Sequence, residues 1–246
     1  MTDPTGGLES FYREHIGQES SDFRFVALKE FLRGQLQGDS VADIGCGTGT
    51  MIRELSRSGL RVAGFEPAPE IFALAQGLQK ESRLPYPLFN LGVDGMKPDH
   101  LASFRNVLLI DVLEHLEDDH AALKGIHGLM PEGAQLLCLV PAVAALYGRR
   151  DRQVGHFRRY DQKDIEALFA SCPFRRLEVR HWNLLGVPAY WLFEKLLRVQ
   201  MPEGFRMKQA TGFDKVLNSV LLQWFRGVEN RVPFPFGLSL LVKAVK

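Results

Sequence analysis

Val41-Ala42-Asp43-Ile44-Gly45-Cys46-Gly47-Thr48-Gly49 decides how this chain is read. Val41 to Ile44 is a short apolar run that ends in a glycine cluster, which reads as a strand. Met51 to Ser58 behind it reads as a helix. At such a junction glycines let the backbone turn tightly and let a ligand approach with no Cβ in the way. The helix start adds free N–H donors and partial positive charge. In an open parallel sheet, the crevice beyond the strand ends is where ligands bind.

The same rhythm extends outward from this segment. Arg61 to Phe65, Leu88 to Leu91, Val107 to Ile110 and Ala134 to Val140 read as further strands. Ile71 to Gln79, Ala121 to Leu129 and Asp161 to Ser171 read as helices, with Asp161 as an N-cap. Val107-Leu108-Leu109-Ile110 is uncharged, branched and short, as fully buried parallel strands are. Repeated β-α alternation predicts a doubly wound, mostly parallel seven-stranded sheet with helices on both faces.

Two segments break the rhythm. Residues 1–39 read as an N-terminal helical segment, with Phe23, Val26, Ala27, Phe31 and Leu32 at helical spacing. Residues 183–236 read as a helical insertion between a sixth strand, Arg176 to Val179, and a last one, Leu238 to Val245. The expected core is therefore 40–182 plus 237–246. Within the insertion, Phe213, Val216, Leu217, Val220, Leu221, Trp224 and Val228 form one apolar stripe. Leu184 to Val199 has few charges, with Glu194, Lys195 and Arg198 on one narrow arc. Packing on the core or on a homodimer mate, a lid over an apolar acceptor, and peripheral membrane contact all stay open for it.

The glycine loop has two known kinds of ligand. Dinucleotide sites use G-x-G-x-x-G, but here the third glycine comes one residue early and Thr50 takes its place. Asp43, two positions before Gly45, is awkward beside a pyrophosphate and natural beside an ammonium group. Val41 to Gly49 closely resembles the first motif of the class I S-adenosylmethionine (SAM) dependent methyltransferases. The resemblance covers Val41 to about Ser171 and implies a Rossmann-like fold, SAM as cofactor and S-adenosylhomocysteine (SAH) as product. It also implies that Asp43, Gly45, Gly47 and Gly49 surround the methionine part. Glu66, with Pro67 beside it at the end of the second strand, matches the acidic residue that accepts both ribose hydroxyls. Its spacing of 21 residues from Gly45 is shared with dinucleotide folds. Asp94 falls where the family often places a side chain near the adenine amino group.

Asp111-Val112-Leu113-Glu114-His115 follows the fourth strand. This D-V-L-E-H pattern resembles the branch that includes quinone-biosynthesis O-methyltransferases, and implies that Asp111 lines the methyl-transfer crevice. Asp111 and Glu114 also fit a plain helix cap and first-turn acid, and His115 fits either a structural group or a base. Methyl transfer from a sulfonium is an in-line displacement that needs orientation, desolvation and sometimes a base. Its substrate signature is accordingly weak.

Pro141 to Tyr160 holds the candidate acceptor side. Five arginines lie between Arg149 and Arg159, opposed only by Asp151. Arginine forks recognise carboxylate or phosphate, which favours an apolar or amphipathic acceptor with an anionic group. Gly155 to Tyr160 is similar to a G-H-x-R-R-Y segment on the active-site side of the sheet in a bacterial subgroup. Candidate bases are His115 and His156, with Tyr160, Arg158 and Arg159 positioning the acceptor. A solvated basic loop with Tyr160 packed as a lid is the competing reading.

Composition narrows the classes. The 246 residues are 46% hydrophobic and 24% charged, which excludes a disordered or coiled-coil chain. Lys plus Arg is 30 against 29 Asp plus Glu, and no N/D-P-P-Y/F motif follows the fourth strand, so no nucleic-acid partner is expected. Cys46, Cys138 and Cys172 are far apart with no C-x-x-C pair, so neither disulfides nor a metal is expected, and reduced thiols suit the cytoplasm. Met1 to Ser10 lacks the basic start and apolar middle of a signal peptide. The expected activity is methyl transfer from SAM to an O or N atom of a small molecule. A nucleotide-binding oxidoreductase and a non-catalytic SAM-fold binding protein are the alternatives.

Overall fold

The computed structural model describes residues 22–192 and 212–246, and of residues 212–215 the backbone only. Met1 to Ser10, the end of the Leu184–Val199 run and the Phe213 side chain lie outside the described residues. The chain opens with α1 (Phe23–Gln35), capped by the Asp22 carboxylate, which accepts the Arg24 N–H. Alternation follows: β1 (Ser40–Ile44), α2 (Thr50–Arg57), β2 (Arg61–Phe65), α3 (Pro69–Ser82), β3 (Leu88–Phe89), the one-turn α4 (Pro98–Leu101) and β4 (Asn106–Ile110). Then come α5 (Asp119–Leu129), β5 (Gln135–Pro141), α6 (Arg149–Gln153), α7 (Gln162–Ala170), β6 (Arg176–Trp182), α8 (Gly186–Tyr190), α9 (Gly212–Trp224) and β7 (Ser239–Val245).

These strands form a seven-stranded sheet in the order β3-β2-β1-β4-β5-β7-β6. β1 to β5 pair in parallel, and β7 enters antiparallel between β5 and β6. The order reverses at β1 and β4, so the loops after those strands diverge and leave a crevice at their carboxyl ends. β1, β4 and β5 are buried almost throughout and mostly apolar because both of their faces are covered. At the opposite edge the buried Asn106 accepts from Gln37 N–H and Gln135 Nε2 and donates to the Ser40 carbonyl, which locks the entry to β1 against β4 and β5.

β3 keeps two residues, shorter than the expected Leu88–Leu91, because Asn90 turns its amide to the Glu66 and Pro67 carbonyls. β6 runs three residues further than expected, ending at the fully buried Trp182. The core covers the apolar stripe only in part. Val216 and Val220 face solvent, while Leu222, Trp224 and Phe225 pack inward. α9 passes into a π-helical turn, Phe225–Glu229, which buries Phe225 and Glu229. Phe225 packs against Phe23 and Trp182 at 5.8 and 5.0 Å, so this part of the insertion sits on α1 and the sheet. Among the described residues no helix is long and apolar enough to cross a membrane.

Candidate active site

The loop after β1 is hooked to the end of β2. Gly45 and Cys46 N–H groups donate to the Phe65 carbonyl at 2.7 and 3.0 Å. Gly45 lies at φ +72°, and a Cβ there would meet Val112 Cγ2 at 2.6 Å, so only glycine lets the loop after β4 close over the loop after β1. Glu66 is buried under this loop. Its Oε2 accepts the Gly47 N–H at 2.9 Å and its Oε1 the Ala68 N–H at 3.0 Å. Burial raises the Glu66 carboxyl above its ordinary range, and the two amide bonds pull the other way. Asp43 lies deeper still, and its Oδ1 has no hydrogen-bond partner among the described residues. Burial first, then the charge of Glu66, push it up to about 8, so it is protonated at neutral pH. Pro67 and Asp94 are exposed on the rim, Asp94 in a short turn after β3.

Asp111 holds a left-handed backbone at φ +51°, a conformation that Asp tolerates better than most residues. Its carboxylate meets Arg24 Nη2 of α1 at 3.6 Å. Loops after β1, β2 and β4 thus bring Gly45, Gly47, Glu66 and Asp111 to one crevice. A carboxylate presenting two oxygens and a glycine loop with no Cβ can take a diol and an extended chain, respectively.

Beyond Asp111, Glu114 is fully buried and neither carboxylate oxygen has a hydrogen-bond partner among the described residues. Desolvation, then the charge of Asp111, hold it well above the usual carboxylate range. His115 and His156 meet edge to face at 4.6 Å. Burial lowers His115 to about 4, assisted by the charge of His156, so it is neutral at pH 7. His156 Nδ1 lies 3.1 Å from Asp151 Oδ1, and its Nε2 lies 3.9 Å from Glu114 Oε1.

Arg158 and Arg159, expected to position the acceptor, are each paired with a carboxylate. Arg159 Nε donates to Asp151 Oδ1 at 2.7 Å, with its guanidinium 4.4 Å over the Tyr190 ring. Arg158 Nη1 pairs with Asp119 at 2.8 Å, and the buried Tyr160 hydroxyl donates to the same carboxylate at 2.7 Å. Asp151 also accepts the Gly148 N–H and lies 3.3 Å from the Tyr190 hydroxyl, which makes it the hub of the loop. Its carboxyl is held down at about 2: burial raises it, and His156 and Arg159 outweigh that. Asn90 went unnoticed in the sequence, and Glu114 was read there as a first-turn acid. Asp151 was visible there only as the one acid among five arginines.

A family model described as a methyltransferase domain matches residues 13–181. The chain belongs to the methyltransferase-domain family. This methyltransferase-domain chain is 30% identical over 118 residues to a ubiquinone biosynthesis O-methyltransferase of Xanthomonas euvesicatoria, covering 46% of the chain and 49% of that protein. It is 33% identical over 133 residues to a tRNA U34 carboxymethyltransferase of Campylobacter hominis, covering 52% and 44%. The chain thus spans about half the length of the curated relatives it matches. Among solved structures, a SAM-dependent methyltransferase from Thermotoga maritima superposes with a TM-score of 0.60 at 17% identity, over 99% of this chain and 100% of that one. That likeness is one of fold.

Proposed function

We propose that this methyltransferase-domain chain transfers the methyl group of SAM to an O or N atom of a small molecule. The observation that carries the reading is the convergence of the Gly45–Gly49 loop, Glu66 and Asp111 in the crevice at the β1/β4 switch point, in a chain of this family. In the proposal Glu66 exchanges its bonds with backbone amides in part for the ribose hydroxyls. Asp43 supports the ammonium end beneath Gly45, Gly47 and Gly49. Pro67 and Asp94 border the adenine, and Asp111 lines the path of the methyl group. The methyl carbon bonds to the acceptor atom as its bond to sulfur breaks. SAH leaves with a neutral thioether, and the acceptor proton is lost to a base or to water. His115 and His156 stand on that side of the crevice, and neutral His115 can accept a proton at pH 7.

Arg158 and Arg159 are already neutralised by Asp119 and Asp151, so the proposal demands no anionic group on the acceptor. With Tyr160 they are assigned to holding the loop in place. Glu66→Ala tests the cofactor reading. Loss of the diol contact is expected to weaken SAM binding at least tenfold, about 1.4 kcal/mol. Unchanged affinity by calorimetry, with the fold intact by circular dichroism, would remove the assignment.

A further inference from the structure

The sequence led us to expect no metal, and its lack of paired cysteines still speaks against a thiolate site. Glu114, His115 and His156 form a different donor set. One ligand atom from each lies within 4.8 Å of the other two, at the crevice end of β4. We propose that these three residues bind one divalent transition-metal ion.

Four observations support the assignment. First, Glu114 buries a carboxylate whose two oxygens have no partner among the described residues. Such a group is costly unless it is protonated or meets a cation. The 3.9 Å to His156 Nε2 is too long for a hydrogen bond. Ligands at about 2.0–2.2 Å from one ion sit about 3 Å apart, so a shift of each side chain by roughly an ångström closes the site.

Second, the imidazole of His156 is oriented from behind. Its Nδ1 faces Asp151 at 3.1 Å, which leaves Nε2 turned toward Glu114. A carboxylate behind a histidine is the arrangement that fixes the tautomer of metal ligands. Asp151 is itself fixed by Arg159, Gly148 and Tyr190, so the support is rigid.

Third, the local charge has room for a dication. Once Glu114 ionises on an ion, three carboxylates, Asp111, Glu114 and Asp151, face two guanidinium groups, those of Arg24 and Arg159, among the described residues of the cluster. Fourth, two imidazoles and one carboxylate are donors that suit zinc, iron, cobalt or manganese and leave coordination positions open. Those positions adjoin Asp111 and Val112, where the acceptor would lie.

The role follows, and this part rests on the methyl-transfer reading. A bound cation lowers the pKa of a hydroxyl that it coordinates. The acceptor oxygen gives its proton to solvent and attacks the methyl carbon, and the C–S bond breaks to give SAH. The ion is neither oxidised nor reduced.

Cobalt(II) alone, titrated into the untagged, metal-stripped full chain, provides the test. The expected result is visible d–d absorption that saturates at one equivalent. His156→Ala and Glu114→Gln are each expected to weaken binding at least tenfold. Glu114→Gln keeps the side chain's shape, replaces a buried carboxyl that has no hydrogen-bond partner among the described residues, and is expected to unfold at no lower temperature than the unaltered protein without metal. His156→Ala, at a partly exposed position, serves if that variant does not fold. No absorption at stoichiometric cobalt, or identical titrations in both variants, would overturn the site. Stripping the metal is expected to leave SAH binding within twofold and to abolish methyl transfer. Undiminished transfer after stripping would overturn the role. Failure of the cofactor reading would show instead as absent SAH binding, with the cobalt spectrum intact.

Discussion

Asp43→Asn is expected to make the cofactor-free protein more stable, and increasingly so as pH rises. Asp43 is 2% exposed, with one carboxylate oxygen unpartnered, and its folded pKa of about 8 lies far above the ordinary 3.8. A raised folded pKa means that the folded chain binds the proton more tightly than the unfolded chain does. Stability from this group is therefore fully present below pH 3.8 and is lost as pH rises through about 8. Each pH unit inside that window costs about 1.4 kcal/mol, so the variant gains at most about 3 kcal/mol over the unaltered protein between pH 5 and pH 7. For a chain of this size that is roughly 6–12 °C in Tm. Titrating groups that do not interact with Asp43, His115 among them, are common to both proteins and cancel in the difference, whereas Glu66 is coupled to Asp43 and enters the profile with it. The assay is thermal unfolding of both proteins at half-unit pH steps without ligand. In the proposed function the same substitution weakens SAM binding, because the carboxylate beneath the ammonium is gone. Parallel Tm profiles for the two proteins would refute the reasoning, since they would mean that Asp43 titrates normally in the folded state.

Two further substitutions test the scaffold. Gly64→Ala places a Cβ 2.5 Å from Ile52 Cδ1 and 2.8 Å from both Cys46 Sγ and Leu88 Cδ2. Overpacking of this kind costs about 1–3 kcal/mol, read from the midpoint of urea unfolding; an unchanged midpoint would show that α2 has room to move. Asp151→Asn leaves Arg159 buried without its carboxylate, a loss of about 3–5 kcal/mol by the same measurement. A loss under about 1 kcal/mol would mean that the Tyr190 ring and the Ala142 carbonyl suffice to hold the guanidinium.

The sheet was legible because its strands are short apolar runs separated by helices, and β2 has the expected limits to the residue. The places of Gly45, Gly47 and Glu66, just after β1 and β2, were legible because local backbone geometry and one fixed spacing set them. The Glu114 cluster was not. An acid in D-V-L-E-H looks like a first-turn residue until His156, 42 positions on in the sequence, is folded beside it. Asp151 was hidden for the same reason, since its partner Tyr190 comes from beyond β6. The pairing within the arginine-rich loop was not legible, because the sequence counts charges and not their partners: Asp119, which neutralises Arg158, lies 39 residues earlier. Helical periodicity put Val216 and Val220 on the same stripe as Trp224 but could not say how much of that stripe the core covers, and these two valines stay exposed.

The central claim is that the crevice at the β1/β4 switch point holds SAM and its product. Calorimetric titration of SAH into protein stripped of bound ligand, with NADH as the control, tests it most directly. The account predicts micromolar SAH binding and none of NADH. NADH binding without SAH binding would contradict it and return the loop to the dinucleotide class that Asp43 and the early third glycine argue against.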